Sequence, residues 1–469
     1  MALTDPAPHA PLLRLRAPLR CLATGLLTLA LAACTEPAAP ERLARPTIVL
    51  ISIDTLRRDH LGLYGYERDT TPQIDRFARE ECVVFDNSYA VSPWTLITHM
   101  SMFSGLHPDQ HGVVESDKAL SGEVPTLPER LDALGYHTVA VFQRGWIHER
   151  HGFDRGFDVF VDHRRMGDML EHYHQAMAER PRDAPLFLFL HIWDVHAQDL
   201  YRHDSSIYDP PPPYDTLFLP DARERLKGIP AKDVFYAKAP VTPEQREALV
   251  ALYDGNIRQA DDTIGAWLAQ WRELDLLDDA LVIITSDHGE ALGQREGLGG
   301  HGQLYQEALR TPLIVHFPGG VLAGTRRSEF VSQVDYLPTI LEVLEVAPEG
   351  WLPGLPLGGG VPRDRMLFFD RPPSRGVLRW PWKLTWSDRS GPGFGRLVNL
   401  ESDPGELRRV GRKHKQRRDM FNDIAEKLTG AADAQRRQRP PHPGQADTAT
   451  AQTPDEVQAL QALGYLGDG

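Results

Sequence analysis

Three runs of almost purely apolar residues, each followed closely by an aspartate, constrain the fold more than any other feature of the chain. They are Thr47 to Ile53 (TIVLISI), Leu186 to Ile192 (LFLFLHI) and Leu281 to Thr285 (LVIIT). A continuous apolar run of this length is typical of a strand that is buried on both faces. Stretches with helical patterns separate the runs, so the chain predicts βαβ units and an α/β fold with a mostly parallel sheet flanked by helices.

The remaining elements are predicted in the same way. Helices are expected at residues 72–81, 95–103, 128–134, 242–274 and 335–346, and further buried strands at 82–85, 137–142 and 313–317. The helix after Thr242 begins with a capping box and has proline at its first position. From Met366 onward the pattern changes to short strand-like pieces (MLFF, VLRW, WKLTW, RLVNL), which predict a small C-terminal antiparallel-sheet subdomain.

Composition excludes some classes of function. The 469 residues are 41% hydrophobic and 25% charged, which is ordinary for a globular protein. The formal net charge is −14, whereas a general nucleic-acid binder needs a basic surface to meet phosphates. We therefore expect no nucleic-acid partner. A small anionic substrate stays possible, because a local metal ion or arginine can override the overall field.

The N-terminus has the features of a targeting segment. Arg14, Arg16 and Arg20 precede the short apolar run Cys21–Ala33, and the run ends in LAAC, which resembles the lipobox of bacterial lipoproteins. This resemblance implies cleavage before Cys34 and lipidation of its sulfur. We therefore expect an exported protein, lipid-anchored to a bacterial membrane at the periplasm or the cell surface. An ordinary secretory signal cleaved nearby and an uncleaved short anchor are the alternatives.

Polar residues follow each of the three apolar strands. Asp54 comes after the first, Asp194 and His196 after the second, and Asp287 with His288 after the third. The carboxyl ends of parallel strands meet at one edge of the sheet, where sites form in open α/β folds. A single aspartate at such a place is usually a turn former or a helix cap. Carboxylate and imidazole groups converging there instead predict a divalent metal centre built from Asp54, Asp287 and His288.

Thr95 is the candidate nucleophile. It opens the segment TLITHMSMFSG, which has the pattern of a helix, so its ordinary role would be that of an N-cap. Both roles are compatible, because a hydroxyl at a helix N-terminus lies at the positive end of the helix dipole. A metal ion nearby would lower the pKa of the hydroxyl toward the reactive alkoxide.

From Thr47 to about Leu344 the chain resembles the sulfatase branch of the alkaline phosphatase superfamily. The resemblance rests on TIVLISIDTLRRDHLGLYGY, TTPQIDRFARE, SPWTLITHMSMFSGLHPDQHGV, FLFLHIWDVHAQDLY, VIITSDHGEALGQREGLGGHGQLYQEALRTPLIV and VDYLPTILEVL, in matching order and spacing. It implies an alkaline-phosphatase-like fold and one divalent ion, or two, of Ca, Mg, Mn or Zn. It also implies a nucleophile at Thr95, and catalytic histidines at His196 and His301 that hold the anion or protonate the leaving oxygen.

The chain departs from the family pattern at several positions. Sulfatases convert a Cys or Ser in a C/S-x-P-x-R signature to formylglycine, but Thr95 cannot become an aldehyde and His99 replaces the arginine. Thr55 stands where a second acid is usual, and the usual Lys-x-His pair that binds sulfate is not evident. His99 and Arg144, which lies in the region of that pair, are the residues we expect to bind the substrate anion.

These departures bear on the reaction. A sulfated threonine cannot eliminate sulfate as formylglycine does, whereas threonine is well suited to in-line phosphoryl transfer helped by metal. We expect an exported metal-dependent hydrolase that cleaves sulfate or phosphate-type esters of a small anionic molecule, a glycan or a lipid. The alternatives are a phosphoethanolamine-type transferase, a phosphodiesterase or phosphonate hydrolase on the same centre, and a non-catalytic binding lipoprotein.

The expected domain organisation has five parts. They are a signal peptide at 1–33, a tether at 34–46, the sulfatase-like catalytic domain at 47–350, the C-terminal subdomain at 351–430, and a flexible tail with a short terminal helix at 431–469.

Overall fold

The computed structural model describes most of the chain, namely residues 45–143, 145–197, 207–235, 240–295, 298–408, 415–439, 444, 446–453 and 457. The signal peptide, nearly all of the tether and Arg144 lie outside these residues, as does much of the C-terminal tail. Within the described ranges, no helix is both long enough and apolar enough to cross a membrane.

Strands and helices alternate through most of the described chain. The strands are β1 (Ile48–Ile53), β2 (Val83–Tyr89), β3 (Lys118–Ala119), β4 (His137–Gln143), β5 (Val159–His163), β6 (Leu186–Ile192), β7 (Leu281–Ser286), β8 (Ala291–Arg295), β9 (Leu298–Gly300), β10 (Arg310–Thr311), β11 (Leu313–His316), β12 (Thr325–Ser332), β13 (Leu367–Arg371), β14 (Ser374–Arg379), β15 (Trp382–Ser387), β16 (Arg396–Asn399) and β17 (Asp447–Thr448). The helices are α1 (Pro72–Glu81), α2 (Thr95–Ser104), α3 (Pro108–His111), α4 (Leu127–Ala133), α5 (Met166–Glu179), α6 (Ala222–Arg225), α7 (Ala231–Phe235), α8 (Pro243–Glu273), α9 (Gln306–Leu309), α10 (Tyr336–Val343) and α11 (Lys415–Gln438).

The three apolar runs form the centre of the large sheet, as the sequence predicts. Among the described residues this sheet has nine strands in the order β10-β2-β11-β7-β1-β6-β4-β5, with β12 paired to β2. Strand β1 runs parallel to both β6 and β7, and Ile53 is in register with Ile192 on one side and Ser286 on the other. Strand β11 is antiparallel to its neighbours. The expected mostly parallel sheet flanked by helices is therefore confirmed.

Both faces of β1 are covered, which explains why its sequence is apolar throughout. Val49, Ile51 and Ile53 point into one apolar layer, and Ile48 and Leu50 into the other. Helix α8 packs on the first layer and helix α2 on the second. A strand covered on both sides is mostly apolar up to its end, and Ser52, the polar residue of β1, bonds to His99 inside the protein. The first polar groups with access to a site therefore stand at the carboxyl end of the sheet.

The C-terminal part contains the predicted antiparallel sheet, with strand order β13-β14-β15-β16. Phe369 of β13 lies against Tyr89 of β2, with ring centroids 5.9 Å apart, so the small sheet packs beside the end of the large one. The proposed domain boundaries at 350 and 430 stay predictions. Helix α11 runs from Lys415 to Gln438 and so extends across the second of them.

Candidate metal centre and active site

The register of β1 with β7 brings three potential metal ligands together. Asp54 follows β1 and Asp287 follows β7, with His288 next in the chain. One ligand atom from each residue lies within 4.8 Å of the other two, and all three residues are fully buried. Ligand atoms bound to one divalent ion have separations of this order, because each bond to the metal is about 2.0–2.6 Å long.

The hydrogen bonds around these residues point their donor atoms at a common centre. Nδ1 of His288 lies 2.9 Å from the carbonyl oxygen of Gly289, which can only accept, so Nδ1 carries the proton and the Nε2 lone pair faces the two carboxylates. Oδ1 of Asp287 accepts from the backbone N–H of Thr55 at 3.1 Å and of His288 at 2.7 Å. Oδ2 of Asp287 and Oδ1 of Asp54 are buried without a hydrogen-bond partner among the described residues.

The pKa shifts of Asp54 and His288 reflect the negative charge that is buried in the cluster. Burial, followed by the neighbouring Asp287 carboxylate, raises the pKa of Asp54 well above its ordinary value. Burial acts to lower the pKa of His288, but the charges of Asp287 and Asp54 outweigh it and the net shift is upward. Buried carboxylate oxygens without partners are costly unless they are paired or coordinate a metal. The donor set and its orphaned oxygens therefore fit a hard divalent ion.

The hydroxyl of Thr95 lies at the edge of this cluster. Its Oγ1 is 3.5 Å from Oδ2 of Asp54 and 3.4 Å from Nε2 of His288, and the residue is fully buried. Trp94 rather than Thr95 occupies the N-cap position of α2, and Thr95 is the first helical residue. Its side chain is thus directed at the cluster rather than at the helix end, so the structure brings together all four residues of the predicted centre.

The two predicted catalytic histidines flank the cluster. The ring centroid of His301 lies 4.5 Å from that of His288 and 5.1 Å from that of His196. Nδ1 of His301 is 3.2 Å from Oε1 of Glu290, and the hydroxyl of Tyr208 donates to the other oxygen of Glu290 at 3.0 Å. Burial lowers the pKa of His196 to about 3 and that of His301 well below its ordinary value.

The buried Glu290 is a residue whose role the sequence leaves open, and the structure shows its place. It directly follows Asp287-His288-Gly289, so the sequence pattern does not distinguish it from its polar neighbours. In the structure its side chain is fully buried beside His301. Asp194, which follows the second apolar strand, accepts a hydrogen bond from Nε2 of Gln143 at 2.7 Å. Within the described residues Asp194 is not part of the three-ligand cluster.

His99, one of the two predicted substrate-binding residues, lies between α2 and β1. Nδ1 of His99 donates to the carbonyl oxygen of Thr95 at 2.9 Å, and its Nε2 lies 2.9 Å from the hydroxyl of Ser52. Burial lowers the pKa of His99 to about 3. Both ring nitrogens therefore face protein atoms that connect α2 to β1, and contact of His99 with substrate stays a prediction. Arg144 lies outside the described residues.

His191 is a further polar residue at the centre that the sequence conceals. It lies inside the apolar run LFLFLHI, where it has the pattern of a core residue. In the structure its Nε2 is 3.5 Å from Oδ2 of Asp54, and its ring packs edge-on against His99 with centroids 4.7 Å apart. Burial lowers its pKa to about 4, so the ring is neutral at physiological pH, and neither ring nitrogen has a hydrogen-bond partner among the described residues.

The chain is similar in sequence and in structure to several known proteins. Residues 46–346 match the family model named Sulfatase. The chain is 23% identical to an arylsulfatase of Clostridium perfringens, over 81% of this chain and 93% of that protein. It is also 23% identical to an N-acetylglucosamine-6-O-sulfatase of Bacteroides thetaiotaomicron, over 68% of this chain and 71% of that protein. The crystal structure of a phosphonate monoester hydrolase of Agrobacterium radiobacter superposes with a TM-score of 0.66 at 20% identity, over 83% of this chain and 96% of that one. The family match covers well over half of the sequence, and this chain belongs to the sulfatase family of ester hydrolases.

Proposed function

We propose that this protein is an exported, metal-dependent hydrolase that cleaves sulfate or phosphate-type esters with Thr95 as its nucleophile. One observation carries the proposal: the hydroxyl oxygen of Thr95 lies within 3.5 Å of both Asp54 and His288, two members of the candidate metal centre. A hydroxyl is a weak nucleophile unless a base or a metal activates it. The position of Thr95 would bring its hydroxyl close to an ion held by Asp54 and His288, which supports this role.

A bound divalent ion would supply charge neutralisation and would favour the alkoxide form of the nearby hydroxyl. Thr95 then forms a bond to sulfur or phosphorus while the bond to the leaving alcohol oxygen breaks. Water subsequently cleaves the ester on Thr95, releases the inorganic anion and restores the hydroxyl. His196 and His301, whose rings lie 5.1 Å apart beside His288, would hold the oxygens of the anion or donate a proton to the leaving oxygen.

The residue at position 95 favours phosphorus over sulfur. Threonine cannot be converted to formylglycine, so the elimination that frees sulfate in ordinary sulfatases has no counterpart here. In-line displacement by water on a threonyl phosphate or phosphonate needs no aldehyde. The similarity in fold to a phosphonate monoester hydrolase is consistent with such a substrate. Sulfated glycans remain the alternative substrate class, since an N-acetylglucosamine-6-O-sulfatase is among the relatives.

We also propose that the chain is exported and attached to a bacterial membrane through lipid on Cys34. The support is the basic residues, the short apolar run and the LAAC string near the N-terminus. Radiolabelled palmitate should enter the wild-type protein and not a Cys34→Ala variant expressed in the same bacterial host. Label in both proteins, or in neither, would contradict the lipid anchor.

A side-by-side assay tests the enzymatic proposal. Purified protein is supplied with aryl sulfate, phosphate monoester, phosphodiester and phosphonate ester, each across a titration of Mg²⁺, Ca²⁺, Mn²⁺ and Zn²⁺. The proposal predicts turnover of at least one ester that depends on metal and is lost in Thr95→Val. Hydrolysis that is independent of metal, or that Thr95→Val retains in full, would refute it.

A further inference from the structure

Arg371 ends strand β13 of the small sheet and lies against the residue before the proposed nucleophile. Its guanidinium carbon lies 4.3 Å from the centre of the Trp94 ring, and Trp94 directly precedes Thr95 in the chain. Trp94 also packs edge-on against Trp146, with ring centroids 5.0 Å apart. The small sheet thus contributes one cation to the surroundings of the candidate active site.

Arg371 differs from the other arginines of its hairpin in having no acid partner. In β14, Arg375 pairs with Asp388 at 2.8 Å and Arg379 with Asp364 at 2.9 Å. Within the part of the chain that the structure describes, no carboxylate lies within ion-pair distance of Arg371. Burial lowers the pKa of Arg371, and no neighbouring acid opposes this effect.

A partly buried guanidinium group without a counter-charge lowers the stability of the folded protein. Contact with an indole face recovers part of the lost hydration, but it leaves the N–H donors of the fork without an anion. Guanidinium groups in such a position are suited to carboxylate, sulfate or phosphate, which they bind with two parallel hydrogen bonds.

The end of β13 is also joined to the loop that leads to Thr95. The backbone N–H of Asp370, the residue before Arg371, donates to the carbonyl oxygen of Val91 at 2.9 Å. Arg371 therefore lies beside the segment 91–95, in contact with the ring of Trp94.

We propose that Arg371 binds a second anionic group of the substrate, carried on the alcohol part of the ester beside Trp94. The inference rests on the proposed ester-cleaving function and adds the substrate class, namely esters whose leaving group is itself an acid. Binding to the reacting anion is the work of the centre around Asp54 and His288, whereas Arg371 selects among leaving groups.

Binding of inert sulfonates tests this without turnover. Calorimetry compares 4-sulfobenzoate, which has two negative charges, with 4-carbamoylbenzenesulfonate, which has one and nearly the same shape. The metal-loaded wild-type protein should bind 4-sulfobenzoate about tenfold more tightly or better. Arg371→Met should abolish this preference and leave binding of the carbamoyl compound within about twofold.

Two further variants control the experiment. Arg379→Met removes an exposed arginine of the same hairpin and should keep the full preference, and Arg371→Lys should keep part of it because the charge remains. Unchanged preference in Arg371→Met, equal loss for both compounds, or no preference in the wild type would overturn the proposal. Failure of the proposed function is separate, since it would show as absence of ester turnover in the wild type.

Discussion

The hydroxyl oxygen of Thr95 lies 3.4 Å from Nε2 of His288, although 193 positions separate the two residues in the chain. Helix α2 supplies the first residue, and the loop after β7 supplies the second. Neither element contributes all the residues of the site. The parallel register of β1 with β7 brings Asp287 and His288 beside Asp54, and α2 packs on the face of the sheet that directs Thr95 at them.

Replacing Thr95 by valine should remove activity without unfolding the protein. Valine keeps the β-branched shape but lacks the hydroxyl, so kcat should fall by at least about 1,000-fold, whereas Thr95→Ser should retain measurable turnover. Thr98→Val is the matched control, because Thr98 is buried on the same helix and its hydroxyl bonds, among the described residues, to the carbonyl oxygens of Trp94 and Thr95 alone. Equal losses in Thr95→Val and Thr98→Val would point to helix distortion instead.

Removing metal should destabilise the protein, because an ion bound to the folded state would screen the buried carboxylates. The melting temperature of wild-type protein should fall on addition of a chelator and recover with excess divalent ion. Asp287→Asn should abolish this response, while the exposed Asp69→Asn should preserve it. A wild-type melting temperature that does not change with chelator would exclude the metal centre.

A methyl group at Gly289 should disturb the centre through the backbone. A Cβ placed on Gly289 would lie 2.0 Å from the carbonyl oxygen of Glu307, so the strand–loop junction must move. The carbonyl of Gly289 accepts the Nδ1–H of His288 and would move with it. Gly289→Ala should lower the free energy of unfolding by about 1–3 kcal/mol and weaken metal affinity as well. Gly122→Ala, at a glycine with open space around it, should change neither quantity.

Asp261 should give the protein a pH-dependent stability below neutrality. It is fully buried on α8 and accepts from the backbone N–H groups of Gln73 and Ile74, and burial raises its pKa to about 7. The folded protein therefore holds a proton that the unfolded chain releases near pH 4. The contribution of Asp261 to stability is therefore fully present below that value and is lost as pH rises through about 7.

Asp261→Asn removes the titrating group, so the decline in melting temperature between pH 5 and pH 8 should be smaller in this variant than in the wild type. Asp262→Asn is the comparison, because its carboxylate is next in the chain but partly exposed. A wild-type profile and an Asp261→Asn profile with the same slope would contradict the assigned shift.

Much of the large sheet could be predicted because its central strands are buried on both faces. The runs that became β1, β6 and β7 are apolar throughout, and their common direction explains why Asp54 and Asp287 meet. Strand β12 (TRRSEFVS) was harder to predict, since its first residues are exposed and charged. Helix α5 was not predicted either, although its buried residues recur at helical spacing from Met166 through Tyr173 to Met177.

Some residues of the site could be predicted from the sequence pattern, whereas others are recognised only from the tertiary packing. Asp54, Asp287, His288 and Thr95 stand at ends of elements, where polar residues are conspicuous. His191 lies within an apolar strand, and Arg371 belongs to a different sheet more than 270 residues from Thr95 in the chain. Contacts of this kind depend on tertiary packing, which periodicity along one element does not encode.

Mapping a covalent adduct tests the central claim most directly. Protein is mixed with its best ester substrate, quenched in acid within the first turnover, digested and analysed by mass spectrometry. The account predicts that the peptide containing Thr95 carries one sulfuryl, phosphoryl or phosphonyl group, and that this adduct is absent from Thr95→Val. An adduct on another residue, or full turnover by Thr95→Val with no adduct anywhere, would show that Thr95 is not the nucleophile.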